Sequence, residues 1–299
     1  MNFDYDLKKI TRENSITIAA VTSSFCSVLF GFPFDSLKTR LQTYKYPSTM
    51  VCVKSTYYYE GLRGFYRGVV PLLMTSTIFR AVSWNLYTSW KQSLLSKFER
   101  FENKLGYTVL PCSLAGGFTG LSLSVFAAPF EFIKVQRQLD LVETTKIVGR
   151  PTKTRNLLQW VSYIINAKGF RGLYTGYSLH APMEFLACAS YFGVYESIKS
   201  LGPQTNGKPD SWVSLLGGGI SGAFSWFFVF PIDVVKSIEQ KNAFRSNSQS
   251  IPHIIKDRYN EMGLKGFYRG MSMQMIRSVP VHAINFYVFE NILAFCKNI

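Results

Sequence analysis

Hydrophobic and polar positions fall along this chain in long blocks, without the short periods of a soluble fold. Three blocks, Ile16 to Phe32, Tyr107 to Phe130 and Ser211 to Ile232, hold no charged residue. Each approaches the ~20 residues that a helix needs to cross ~30 Å of hydrocarbon. Three more, Val69 to Trp90, Tyr177 to Tyr195 and Ser272 to Phe289, are as apolar apart from isolated ionisable residues. The pattern therefore predicts six helical spans. Between paired spans it predicts a short amphipathic helix, at Cys52 to Tyr59, Leu157 to Ala167 and Ile251 to Glu261, suited to lying flat on a membrane face.

The uncharged blocks end alike, in Pro33-Phe34-Asp35-Ser36-Leu37-Lys38, Pro129-Phe130-Glu131-Phe132-Ile133-Lys134 and Pro231-Ile232-Asp233-Val234-Val235-Lys236. Residues 33, 129 and 231 stand about a third of the 299-residue chain apart. A second motif keeps the same period: Glu60-Gly61-Leu62-Arg63-Gly64-Phe65-Tyr66-Arg67-Gly68, Lys168-Gly169-Phe170-Arg171-Gly172-Leu173-Tyr174-Thr175-Gly176 and Met262-Gly263-Leu264-Lys265-Gly266-Phe267-Tyr268-Arg269-Gly270. Two unrelated motifs in one order three times define three copies of one unit, at residues 1–103, 104–205 and 206–299.

These residues resemble the mitochondrial carrier family, whose signature is proline, any residue, acid, two residues, base and a later glutamine, with a linking glycine motif, three times over. The resemblance runs from about Ser15 to about Lys297. It implies an all-α membrane protein of six transmembrane helices in three pseudo-threefold repeats, each with a matrix-side amphipathic helix, around a central cavity. It also implies a multi-pass location in the mitochondrial inner membrane and a monomer that moves small molecules by alternating access.

Composition agrees with lipid contact: 47% hydrophobic, 16% aromatic and only 17% charged residues. A formal net charge of +15 raises nucleic acid as a partner, but the basic residues form no basic-aromatic stripe. Anionic headgroups and anionic solutes are the expected counter-charges. Cys26, Cys52, Cys112, Cys188 and Cys296 are odd in number and include no Cys-x-x-Cys pair, so they read as free thiols, with no metal site. No catalytic grouping and no cofactor are expected. Met1 to Asn14 mixes charges without an apolar core, and targeting is expected to be internal.

Asp35 and Lys38, three residues apart, share a helix face, as do Glu131 with Lys134 and Asp233 with Lys236. At one depth of a six-helix bundle each acid reaches the base of another repeat: Asp35 to Lys134, Glu131 to Lys236, Asp233 to Lys38. This balanced ring is expected to be the matrix gate. The resemblance adds Gln42, Gln138 and Gln240 as amides bracing its bonds, and Gly68, Gly176 and Gly270 beside bound cardiolipin at helix N-termini, good phosphate sites. The family's second base is present only as Arg40; Gln136 and Ile238 replace it.

A second gate motif closes the even-numbered spans: Tyr87-Thr88 with Lys91, Tyr195-Glu196 with Lys199, and Phe289-Glu290 with Leu293. It predicts cytoplasmic pairs Lys91 to Glu196 and Lys199 to Glu290, while Thr88 and Leu293 leave the third place uncharged. Two bonds against three would bias the empty protein toward the cytosol.

Ionisable residues inside spans mark function. Glu184 and Arg277 precede Glu196 and Glu290 by about the same number of residues, hence lie roughly 18–20 Å from that gate at ~1.5 Å per residue. The family's substrate positions fall at this level: Thr75, Met183 with Glu184, and Arg277. Arg80 and His282 lie about one turn higher. A carboxylate held by Arg277 and Arg80, with a cationic group against Glu184, describes an amino acid or a carnitine-like zwitterion. Gly31-Phe32-Pro33-Phe34-Asp35, Ser225-Trp226 and Arg277-Ser278-Val279-Pro280 look like the carnitine, ornithine and basic amino-acid branch, although Met183 stands where that branch has arginine. Arg80 keeps a di- or tricarboxylate as the alternative, and a non-transporting membrane scaffold is the reading from another class. An ion pair between Glu184 and Arg277 that only sets helix register is the bland reading of both residues.

Overall fold

An apolar run satisfies its backbone groups internally when it coils, and each of the six blocks forms a helix. The computed structural model describes residues 15–98, 106–148, 156–205, 208–209, 211–244 and 249–298. In chain order the helices are α1 (Ser15–Thr43), α2 (Thr49–Phe65), α3 (Val69–Phe98), α4 (Gly106–Val148), α5 (Leu157–Lys168), α6 (Tyr177–Leu201), α7 (Ser211–Lys241), α8 (Ile251–Met262) and α9 (Met271–Asn298). Three 3₁₀ turns, Phe170–Tyr174, Asn242–Phe244 and Leu264–Tyr268, join them. Outside the expected all-helical content lies one two-residue antiparallel ladder, Gln204–Thr205 with Lys208–Pro209.

The long helices run past the apolar blocks into the charged motifs that follow, so Pro33, Pro129 and Pro231 sit inside α1, α4 and α7. The short helices match the expected amphipathic stretches. In α2, Ser48 caps the start by accepting from the Val51 amide at 3.3 Å, and Gly61 breaks the helix at φ +64°.

Long helices pack on their neighbours in a cycle: α1 on α3, α3 on α4, α4 on α6, α6 on α7, and α9 back on α1, with a lighter contact between α7 and α9. The helices that carry the proline motifs, α1, α4 and α7, also meet one another. Small residues set the closest approach. A Cβ on Gly116 would stand 2.4 Å from the Phe192 ring, and one on Gly120 would stand 2.5 Å from the Glu184 carbonyl oxygen. Backbone-to-backbone contact of α4 with α6 therefore needs both glycines. The matching pair on α7 is looser, since Gly218 and Gly222 leave 3.7 Å and 3.9 Å to Tyr191.

Side chains are distributed in the reverse of a water-soluble protein. Asp35, Lys38, Gln42, Gln138, Asp233 and Lys236 are buried, whereas Phe25, Phe30, Phe126, Phe224, Phe227 and Phe228 are exposed, Phe126 at 66%. Such an apolar exterior calls for a partner of the same kind. Among the described residues, Val109–Leu139 and Leu216–Phe244 are long and apolar enough to cross a membrane.

Candidate functional site

The proline motifs bring their charges together where α1, α4 and α7 meet. Lys38 Nζ lies 2.7 Å from Asp233 Oδ2, Lys134 Nζ 3.5 Å from Asp35 Oδ2, and Lys236 Nζ 3.8 Å from Glu131 Oε2. Each pair joins two different copies, in the cyclic order that the spacing predicts. Within α7, Lys236 also stands 3.5 Å from Asp233 Oδ1, so Asp233 links two lysines. Charges this deeply buried are tolerable only when paired and hydrogen-bonded. Aromatic faces complete their surroundings: the Lys38 ammonium sits 4.3 Å from the Trp226 ring centre and 5.2 Å from that of Phe230, and Lys134 lies 5.8 Å from Phe32.

The three glutamines behave differently from one another. Gln42 donates to Asp233 Oδ2 at 2.9 Å and accepts from the Ser237 hydroxyl at 3.0 Å, so it braces an ion pair. Gln240 donates instead to the Thr175 carbonyl at 3.4 Å. Gln138 is fully buried, and its amide meets no hydrogen-bond partner among the described residues.

The second base of each copy has been solved three ways. Arg40 forks onto both carboxylate oxygens of Glu60, with Nη2 at 2.9 Å from Oε2, and reaches the Gly64 carbonyl at 3.4 Å. Gln136, in the place of that arginine, donates to the Gln240 carbonyl at 2.5 Å. Ile238 can do neither. There an arginine arrives from α8: Arg258 donates to the Gly266 carbonyl at 3.1 Å and to the Gln42 carbonyl at 3.2 Å. Gly266 occupies in copy three the place of Gly64 in copy one, so the same carbonyl is held by a base from a different helix.

The glycines expected beside lipid also make close contacts across copies. Gly68, at φ +85°, would place a Cβ 2.9 Å from the Lys134 carbonyl oxygen, and Gly270, at φ +93°, 3.2 Å from that of Lys38. Gly176 faces the Gln240 side chain at 3.0 Å. Only glycine takes the left-handed turn and admits this approach. Each turn thus presses on the charged helix of the following copy.

Of the residues expected to meet a solute, the side chains of Thr75 and Arg80, with that of His282 nearby, lie outside the described ones. Met183 is buried, at 3% exposure, and gives no surface to a solute here; Glu184 beside it is half-buried. Arg277 departs from expectation. Its Nη1 lies 2.9 Å from Asp35 Oδ1, so its partner is the ring acid and not Glu184. The reason is reach: an arginine side chain extends several ångströms from its helix, and buried Asp35 offers the carboxylate oxygen that Lys134 leaves open.

At the opposite ends of the helices the expected cross-copy pair between Lys91 and Glu196 is not formed. Glu196 pairs within α6 with Lys199 at 3.4 Å, and the Lys91 ammonium lies 5.9 Å from the Tyr87 ring centre. A partner one turn away on the same helix satisfies Glu196, although α3 and α6 already meet one turn earlier, where Tyr87 stacks on Phe192 with ring centres 4.0 Å apart. The Glu290 side chain lies outside the described residues.

Two residues escape the sequence reading. His180 is buried, and its Nδ1 lies 3.4 Å from Lys236 Nζ. An ammonium cannot accept, so the ring nitrogen takes the proton of the contact and Nε2 carries the imidazole hydrogen. Its signal was available, because His180 lies one turn before Glu184 on the same face. Trp226 lies two turns before Asp233, and the same periodicity places it over the ring.

The description "Mitochondrial carrier protein" belongs to a family model that matches residues 15–98, 106–205 and 207–298. The chain belongs to the mitochondrial carrier family. The carrier is 34% identical to "Mitochondrial ornithine transporter 1" of Schizosaccharomyces pombe over 283 residues, covering 91% of this chain and 89% of that protein. It is 32% identical to "Mitochondrial ornithine transporter 1" of Saccharomyces cerevisiae, covering 90% and 91%. "Glutamate/glycine mitochondrial carrier ymc1" of Schizosaccharomyces pombe is 27% identical, with 92% of each covered. The residue ring, the glycine turns and the three matched segments coincide copy by copy.

Proposed function

We propose that this carrier moves a small amino acid or a related zwitterion across the mitochondrial inner membrane by alternating access, as a multi-pass monomer. The six long helices are its spans, the segments 1–103, 104–205 and 206–299 are its repeats, and α2, α5 and α8 lie on the matrix face. The observation that carries this reading is the ring of Lys38–Asp233, Lys134–Asp35 and Lys236–Glu131, buried on the axis of a bundle whose exterior is aromatic.

The ring is the matrix gate in its closed form, with Gln42 as its brace and Gln138 and Gln240 at the equivalent places. Lys91, Glu196, Lys199 and Glu290 form the cytoplasmic gate, and the missing Lys91–Glu196 pair supports an empty carrier facing the cytosol. Above the ring Arg277 takes the carboxylate of the solute, with Arg80 as its second base, and Glu184 takes its cationic group; Thr75 completes the level, while buried Met183 packs behind it. Two relatives whose names specify ornithine support a solute with these groups. A di- or tricarboxylate would set a second anion against Glu184. A scaffold would leave a buried ring of charges without use, and the chain needs no enzymatic chemistry or cofactor. Gly68, Gly176 and Gly270 border helix N-termini suited to cardiolipin phosphates.

Uptake of radiolabelled ornithine, citrulline, carnitine and malate into liposomes holding the purified carrier tests the reading. Saturable uptake of an amino acid or betaine is expected, lost in Arg277→Ala with the protein still folded in detergent. Uptake of malate alone, or of nothing, overturns it.

A further inference from the structure

We propose that Arg277 is an interlock shared between the solute and the matrix gate, and that Gly31 is the positioning residue that lets it serve both. This rests on the transport reading above for the solute, but not for the gate.

The ring pairs three acids with three lysines, and Arg277 adds a fourth base to it. Asp35 carries two cations: its Oδ1 lies 2.9 Å from Arg277 Nη1, and its Oδ2 lies 3.5 Å from Lys134 Nζ. By distance the arginine is the tighter of the two. Asp35 is on α1 and Arg277 on α9, so their bond joins the first repeat to the third. Lys134 joins the same carboxylate to the second repeat. One acid thus holds three repeats, and the bond to the third depends on the residue best placed to receive a carboxylate from the solution.

The arginine reaches Asp35 because α1 lacks a side chain at Gly31. A Cβ built there would stand 2.8 Å from Arg277 Nε and 2.9 Å from Val281 Cγ2. Contacts under 3 Å are closer than atoms tolerate, so any larger residue at 31 pushes the guanidinium stem off its path. Gly31 lies four residues before Asp35, one turn along the same face. The glycine and the acid are therefore stacked, one admitting the stem and the other binding the head. Arg277 Nε is buried without a hydrogen-bond partner among the described residues. Such an unmet donor favours any state in which an acceptor reaches it.

A solute carboxylate that takes the guanidinium withdraws it from Asp35. The gate then keeps only the longer Lys134 bond at that corner, and the α1–α9 seam loses its ion pair. Solute binding and gate weakening become one event, which is what coupling demands: a ligand shifts a conformational equilibrium only through contacts that differ between its states. In the empty carrier the same bond suppresses opening, and so limits leak without a counter-solute.

Two experiments separate this from the transport reading. The first needs no solute. In detergent, the midpoints of thermal unfolding of Arg277→Gln, Asp35→Asn and the double variant are expected to be non-additive, and additive when Gly31→Ala is present in every member of the cycle. Additive effects in the native background, or a coupling that survives Gly31→Ala, overturn the interlock whatever the solute proves to be. The second uses liposomes and labelled ornithine. Gly31→Ala is expected to raise efflux into solute-free buffer about fivefold relative to exchange, the factor of losing one partly exposed ion pair. Half-saturation for external ornithine should fall, because Asp35 no longer competes for the guanidinium. An unchanged efflux-to-exchange ratio overturns the proposal. Should Gly31→Ala fold poorly, Gly31→Ser with Val281→Ala relieves one of the two clashes and is expected to show the same ratio. If wild-type carrier moves no ornithine while the thermal cycle is coupled, the substrate reading fails and the interlock stands.

Discussion

The two ends of the bundle use the same kinds of residue to opposite effect. Where α1, α4 and α7 meet, every lysine of the ring finds an acid on another repeat, backed by Gln42, Trp226 and buried His180. At the other end Glu196 and Lys199 satisfy each other within α6. The first arrangement ties repeats together, whereas the pair of Glu196 with Lys199 lies within one helix. An ion pair therefore has mechanical meaning here according to which bodies it joins, and not according to its strength alone. A carrier that latched both ends at once could not open to either side.

The largest expected effect breaks the closed end. Lys236→Ala removes the cation shared by Glu131, Asp233 and His180 and leaves the part-buried Glu131 without its ring lysine, while Asp233 keeps Lys38, which should destabilise the folded protein by about 3 kcal/mol, the low end for a broken buried pair. Chemical denaturation in detergent measures this, with loss of uptake alongside; a change as small as a surface pair would contradict the ring as described. Gln42→Ala should cost about 1–3 kcal/mol, because Asp233 loses a buried donor while its lysines remain. Gln240→Ala, whose amide touches no ion pair, should leave the Lys38–Asp233 corner unaffected in the same assay.

Building the missing latch sharpens the contrast. Thr88→Glu with Leu293→Lys adds a third pair to the proposed cytoplasmic gate and should shift the empty carrier toward the matrix-open state. Labelling of single cysteines from either face of a liposome reads that shift, and unchanged labelling would argue against counting bonds at the two ends. Lys199→Ala should alter the stability of the closed-ring form by about 1 kcal/mol or less, since its ion pair with Glu196 lies within one helix and is partly exposed. The smallest effect is a control. Burial pushes the Cys52 thiol up to about 11, so little thiolate exists at pH 8 and maleimide labelling should rise about tenfold per pH unit toward that value. A labelling rate that differs between gate states would show that α2 takes part in the movement.

Much of this was legible in the sequence because repetition converts spacing into geometry. Three prolines, three acids and three lysines at one period define the ring, and the apolar blocks define six helices. What the sequence concealed depends on side-chain reach. Counting residues located Arg277 by the depth of its backbone, yet its head group lies on Asp35, and only the empty place at Gly31 explains why. The unequal glutamines were hidden for a similar reason: their positions are equivalent, but a neighbour such as Ser237 or Thr175 decides what each amide touches. The two-residue ladder at Gln204–Pro209 has no hydrophobic pattern by which to be seen.

The outward phenylalanines have a consequence for how this polypeptide comes into being. A chain that turns Phe126 and Phe228 toward its surroundings while folding its carboxylates and ammonium groups inward has no stable shape to adopt in the aqueous compartment where it is synthesised. Its architecture is stable only among acyl chains, which solvate the rings that water would drive inward, so that reaching the bilayer and folding are one event.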